Sequence, residues 1–181
     1  MNKTLKLVFF LQICYNILMK KAVYPGSFDP MTCGHLDILR RSLNIFDEVI
    51  VLPASNSTKQ SLFTTQQRID QIQRIIEAEH ISDRVSVDTF DGLLVDYCTK
   101  KGIFTIIRGL RPFSDFEYEF ELASANRGID SRIETVFLIT NLQYSYLRSS
   151  ILKDLARLDG DITGKIPECI KDEFIARVKR G

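Results

Sequence analysis

Histidines, clustered thiols and net charge are all scarce in this chain, and each scarcity removes a class of function. Only His35 and His80 occur, and the four cysteines (Cys14, Cys33, Cys98 and Cys169) show no C-x-x-C spacing. A structural zinc site needs four such ligands at close spacing, so no metal-ligating set is expected. Scattered thiols suit a reduced, cytoplasmic protein better than a disulfide framework. The 24 Lys and Arg residues nearly balance 23 Asp and Glu, for a net charge of +1. A nucleic-acid surface needs a basic excess or a dense basic face, so no nucleic-acid partner is expected. His80 closes a helix-end segment, EAEH, with no nucleophile beside it, which leaves no serine or cysteine triad.

Long apolar stretches are also missing. The N-terminal run from Leu7 to Met19, flanked by lysines, falls short of the ~20 residues that span a bilayer. It has the charge and length of a secretory leader but no A-x-A-like cleavage site after it. The reading adopted is that residues 1–18 are an N-terminal extension outside the native chain. Residues 19–181 then form one domain starting at Met19, with no membrane association expected. A membrane-surface or partner-binding segment is the alternative.

Apolar β-rich runs alternate with helical patterns through the rest. Ala22–Tyr24, Glu48–Pro53, Val85–Phe90, Ile103–Ile107 and Thr135–Ile139 read as strands. Stripes at Leu36, Leu39 and Leu43, at Ile69, Ile72 and Ile76, and at Ile170, Phe174 and Val178 read as helix faces. Thr64-x-x-Gln67 and Ser114-x-x-Glu117 read as capping boxes, and Gly102 as a helix C-cap. Strands apolar on both faces and alternating with helices predict an α/β, Rossmann-like fold. It has a five-stranded parallel sheet with helices on both faces. Ligands bind such sheets beyond the carboxyl ends of the strands.

Four predicted strands are followed by anion-friendly groups. Gly26-Ser27-Phe28-Asp29-Pro30 leads into Thr32-Cys33-Gly34-His35, a turn feeding a helix N-terminus that offers N–H groups and a histidine donor. The histidine could serve neutral or charged; for the turn taken alone, a histidine that only caps or packs is the plainer reading. Lys59 follows the second strand, and Arg108-Gly109-Leu110-Arg111 follows the fourth. Tyr144-Ser145-Tyr146-Leu147-Arg148-Ser149-Ser150 follows the fifth and runs into a helix, where serine capping is the plain alternative. Taken together they point to a nucleotide-phosphate site working by positioning and charge neutralisation.

YPGSFDPMTCGH, from Tyr24, resembles the first motif of the HxGH-type nucleotidyltransferases, with Thr32 in place of the leading histidine. RGLRPFSDFEYEFELASANR, Arg108–Arg127, closely resembles the more specific signature of bacterial phosphopantetheine adenylyltransferases. The resemblance runs from about Lys20 to the last helix. It implies transfer of the adenylyl group of ATP to 4′-phosphopantetheine, a magnesium requirement, a cytoplasmic location and a homohexamer. It also implies roles. His35 is the transition-state stabiliser, and Ser27 contacts both substrates. Lys59 and Arg108 hold the acceptor phosphate, and Leu94 touches pantetheine. Phe28, His35, Gly109, Leu110, Arg111, Glu119 and Tyr144 to Ser150 (Tyr144, Ser145, Tyr146, Leu147, Arg148, Ser149, Ser150) bind ATP. The sequence departs from the pattern at Cys33, where asparagine is usual, and at Arg148, where serine is common. The competing readings are a relative acting on another phosphate acceptor and a nucleotide-binding module without catalysis.

Overall fold

A computed structural model describes residues 19–54, 61–111 and 116–180. Its strands are β1 (Lys21–Gly26), β2 (Glu48–Pro53), β3 (Val85–Val87), β4 (Thr105–Leu110) and β5 (Glu134–Ile139). Between and after them come α1 (Cys33–Ser42), α2 (Thr65–Ala78), α3 (Leu94–Lys101), α4 (Phe116–Ile129), α5 (Ser149–Arg157) and α6 (Glu168–Arg180), with a 3₁₀ turn at Leu142–Tyr144. The strands form one sheet in the order β3-β2-β1-β4-β5, and every pairing is parallel. This is the expected α/β, Rossmann-like fold.

Side-chain alternation along each strand feeds two cores. On β1, Ala22 and Tyr24 face one layer, where the apolar stripes of α1, α2, α5 and α6 pack. Val23 faces the other, with Val95 and Cys98 of α3 and with Ile106 of β4. The buried positions of α6 are the predicted Ile170, Phe174 and Val178. Thr64 caps α2 with the expected reciprocal bonds: its Oγ1 accepts from Gln67 N–H at 3.2 Å and its N–H donates to Gln67 Oε1 at 3.0 Å. Gly102 closes α3 in the left-handed region, at φ 68°. The predicted cap of α4 at Ser114 lies outside the described residues.

Several boundaries differ from expectation. β3 stops at Val87 rather than Phe90, because it is an edge strand paired only with β2. α1 ends at Ser42, one residue short of the predicted stripe residue Leu43, and Leu43 and Phe46 are buried from the turn that follows. β4 begins at Thr105 and continues through Leu110, so Arg108, Gly109 and Leu110 belong to the strand and not to the loop after it. Pairing with β5 extends to Leu110↔Ile139, which holds this segment extended.

Candidate active site

The strand order turns back between β1 and β4, which touch in the sheet but lie far apart in the chain. Such a switch opens a crevice beyond the strand ends. Here it holds a cavity of about 210 Å³. Ser27 and Phe28 line it from the β1 loop, and His35 from the first turn of α1. Arg108, Gly109 and Arg111 line it from the end of β4, Glu119 from α4, and Tyr144 and Leu147 from the segment after β5. Four separate stretches of sequence thus meet in one place.

The chain fixes His35 closely. Thr32 is the N-cap of α1, and its Oγ1 accepts from His35 N–H at 3.3 Å. In return Thr32 N–H donates to His35 Nδ1 at 3.0 Å. The pair is a capping box in which histidine replaces the usual Glu or Gln. A backbone N–H can only donate, so Nδ1 is an acceptor and the neutral ring carries its proton on Nε2. Phe28 backs the ring edge-on, with centroids 5.3 Å apart. Burial first, and then the charges of Arg111 and Arg108, push the His35 pKa down to about 4. At neutral pH His35 is therefore a neutral N–H donor, which answers the question of its charge left open by the sequence.

This shift carries a sign. An unfolded histidine protonates near pH 6.5 and the folded one only near 4. Between these values the unfolded chain binds more protons, so this group's contribution to stability is present above pH ~6.5 and is lost as the pH falls towards 4. Nitrogen-15 NMR of the His35 ring should show a midpoint near pH 4, moving upward when inorganic pyrophosphate is added. A midpoint near 6.5 in the protein alone would contradict the buried, cation-flanked setting.

Phe28 has a positive φ of 45° and is only 1 % exposed, with its ring packed edge-on to Tyr24 as well. A Cβ at position 26 would stand 2.8 Å from Phe28 Cζ, so this packing requires Gly26. Phe28 thus acts chiefly as the support of His35.

Arg108 is held as a fork. Its Nε donates to Glu119 Oε2 at 2.5 Å, its Nη2 to Glu119 Oε1, and its Nη1 to the Pro25 carbonyl at 2.9 Å. Glu119 is buried, and burial alone would lower the arginine's pKa; the bonds and charge of Glu119 raise it instead. On the far side of this pair a second cavity, about 140 Å³, is lined mainly by Leu94, Ile106, Leu122, Ala123 and Asn126. The Arg108–Glu119 pair borders both cavities.

Other sequence-predicted positions fall elsewhere. Leu110 is the last residue of β4 and Tyr146 is exposed, neither lining the larger cavity. Arg148 is the N-cap of α5, and no side-chain bond closes that end, so the serine-capping alternative does not hold. Ser149 Oγ donates instead to the Pro30 carbonyl at 3.2 Å, and Ser145 Oγ to the Leu142 carbonyl at 2.8 Å. Ser150 is exposed in the first turn of α5. Lys59 lies outside the described residues. Sequence reasoning missed Tyr24, Asn126, Asp29 and Arg68. Tyr24 and Asn126 read as core and helix surface, and the last two act through partners far away in the chain.

Comparison with known proteins agrees with this geometry. The cytidylyltransferase-like family model matches residues 23–155. A phosphopantetheine adenylyltransferase of Geobacter metallireducens is 54% identical over 159 residues, covering 86% of this chain and 96% of the relative. One of Syntrophus aciditrophicus is 56% identical over 153 residues, covering 84% and 91%. In structure, the nicotinic acid mononucleotide adenylyltransferase of Plasmodium falciparum, complexed with NaAD, superposes with a TM-score of 0.64 at 17% identity, over 88% of this chain and 94% of that one. That likeness shows a shared fold. The identity of over half the residues across nearly the whole length of the curated relatives shows more: the chain belongs to the phosphopantetheine adenylyltransferases.

Proposed function

We propose that the chain transfers the adenylyl group of ATP to 4′-phosphopantetheine, giving dephospho-coenzyme A and pyrophosphate, the penultimate step of coenzyme A synthesis. Beside the family relationship, the observation that carries this reading is the arginine–glutamate wall between two unlike cavities. An acceptor with a phosphate on a long arm of mixed methylene and amide character matches that pair of spaces, the second of which is lined by Asn126 and Thr135 as well as by apolar side chains. The arm would lie by Leu94, Leu122 and Asn126, and the phosphate would reach Arg108 and Ser27.

The chemistry needs no nucleophilic residue. A phosphomonoester has its second pKa near 6, so at neutral pH the acceptor is already an anionic nucleophile. The obstacle is bringing it in line with another anion. Arg108, together with Lys59, offsets that repulsion, while the Nε2–H of His35 and the N–H of Gly34, which lines the cavity in the first turn of α1, stabilise charge growing on the α-phosphate. Positioning of this kind can lower a barrier by ~7–11 kcal/mol. Among the described residues, Glu119 is the only carboxylate lining the larger cavity, already engaged by Arg108, and no group of three His, Cys, Asp or Glu could hold a metal. The magnesium that the resemblance implies would enter with ATP as its counter-ion.

The resemblance also implies a homohexamer. Supporting self-association, α4 exposes Phe116, Tyr118, Phe120 and Ile129 and buries only Glu119, beside the edge strand β5. So many exposed large apolar side chains on one helix of a lone chain would be a liability in water. A cytoplasmic location fits the unpaired Cys33, Cys98 and Cys169, and no described helix is long and apolar enough to cross a membrane.

The purified protein incubated with MgATP and 4′-phosphopantetheine should yield dephospho-coenzyme A by mass spectrometry. No product, with nicotinate mononucleotide or a cytidylyl acceptor turned over instead, would replace this reading with one on another acceptor.

A further inference from the structure

We propose that Arg68, buried on α2, is a positioning residue for the acceptor phosphate. Arg68 is 2 % exposed and touches neither cavity. Its Nη1 donates both to the Ser27 carbonyl and to the Ala54 carbonyl, the latter at 2.8 Å, and its Nη2 donates to Thr65 Oγ1 at 3.1 Å. One guanidinium therefore ties together the loop leaving β1, the residue following β2 and the first turn of α2. Ala54 N–H adds a direct bond to the Gly26 carbonyl at 2.8 Å.

A buried cation is costly unless it is hydrogen-bonded, and here one guanidinium reaches two carbonyls and a hydroxyl on three separate stretches of chain. Arginine suits this task because its fork is planar and rigid; lysine has a single point of charge. Asp29 braces the same loop from the other side. Its carboxylate accepts from Leu62 and Phe63 N–H at 2.8 and 2.9 Å and from Lys153 Nζ at 2.6 Å. Ala54 and Leu62 are both fastened to the Ser27 turn in this way.

His35, Gly109, Arg111 and Tyr144 receive no contact from Arg68; they come from α1, β4 and the segment after β5. Apart from Ser27, which the resemblance places against both substrates, the nucleotide side is thus held independently of Arg68, so loss of Arg68 should shift the acceptor side of the site more than the nucleotide side. Misplacement of a reacting group by about 1 Å can lower the rate by 10²-fold. This inference rests on the adenylyl-transfer reading above.

The test compares steady-state kinetics of the full chain with Arg68→Lys, with the milder Thr65→Val, and with Ile75→Val as a stability control in the same helix. Arg68→Lys should raise KM for 4′-phosphopantetheine and lower kcat, reducing kcat/KM for that substrate by ~10- to 100-fold. KM for ATP should stay within threefold. Thr65→Val, which removes only the Nη2 anchor, should move the acceptor KM in the same direction by a smaller factor. Ile75→Val should lower Tm and leave both KM values unchanged. Equal KM values for both substrates in Arg68→Lys and Thr65→Val, or parallel shifts in both, would overturn the positioning role. If Arg68→Lys does not fold, an unmoved acceptor KM in Thr65→Val overturns it alone. Failure of the wild-type chain to make dephospho-coenzyme A would instead overturn the reading beneath it.

Discussion

Replacing His35 with alanine should lower kcat by ~10²–10³ while ATP affinity changes only severalfold, the signature of a donor that acts in the transition state. The structure gives the reason in two steps. The Thr32 amide occupies Nδ1, so the ring has one proton, on Nε2, and one direction in which to offer it. Burial beside Arg108 and Arg111 keeps the ring uncharged, so it adds little Coulomb attraction to bound triphosphate. Its contribution should grow only as negative charge builds on the α-phosphate. Asparagine at 35 could keep a donor near that position and should fall between the two. Turnover in His35→Ala equal to wild type would remove the residue from the mechanism, and an equal loss in ATP affinity would make it a ground-state ligand.

The second large effect concerns Arg108, where stability and activity can be separated. Arg108→Met leaves Glu119 buried without the two bonds it accepts. Breaking one half of such a pair destabilises by ~3–5 kcal/mol, whereas replacing both halves by apolar groups is often neutral. Arg108→Met together with Glu119→Leu should therefore regain most of the lost stability in a denaturant titration. Its kcat/KM for 4′-phosphopantetheine should remain ~10²-fold or more below wild type, since charge-assisted bonds to phosphate contribute ~1.5–3 kcal/mol each. Activity returning along with stability would mean that the arginine serves the fold and not the acceptor.

These two residues also show what a sequence can and cannot disclose. His35 stood out because the turn GSFDPMTCGH announces a helix start, and turn chemistry is local. That His35 could cap is legible in the turn, but its reciprocal box with Thr32 is not, because histidine at that position is not the usual partner. The strand cores were legible from apolar runs, since burial on both faces leaves no polar alternation. The end of β4 was misjudged at Arg108, because pairing with β5, rather than any local property, carries the strand on to Leu110. Arg108 stands at the end of a strand and Glu119 in the helix that follows, so no single period relates them, and only the fold brings them together. Arg68 reaches Ser27 across 41 residues, and Lys153 reaches Asp29 across 124. From the sequence, an arginine in a predicted helix reads as a solvated surface charge. The exposure of Phe116, Tyr118, Phe120 and Ile129 on α4 is a property of the folded chain, since it depends on what the sheet leaves uncovered.

The central claim is that transfer occurs in one displacement, between substrates held by the chain, with no residue taking the adenylyl group. It is tested most directly by stereochemistry at phosphorus. ATP bearing sulfur at one diastereotopic position of the α-phosphate would be turned over with 4′-phosphopantetheine, and the configuration of the thio-substituted dephospho-coenzyme A determined by phosphorus NMR. A single in-line attack predicts inversion. Retention would mean two displacements and an adenylylated side chain, and would contradict the account.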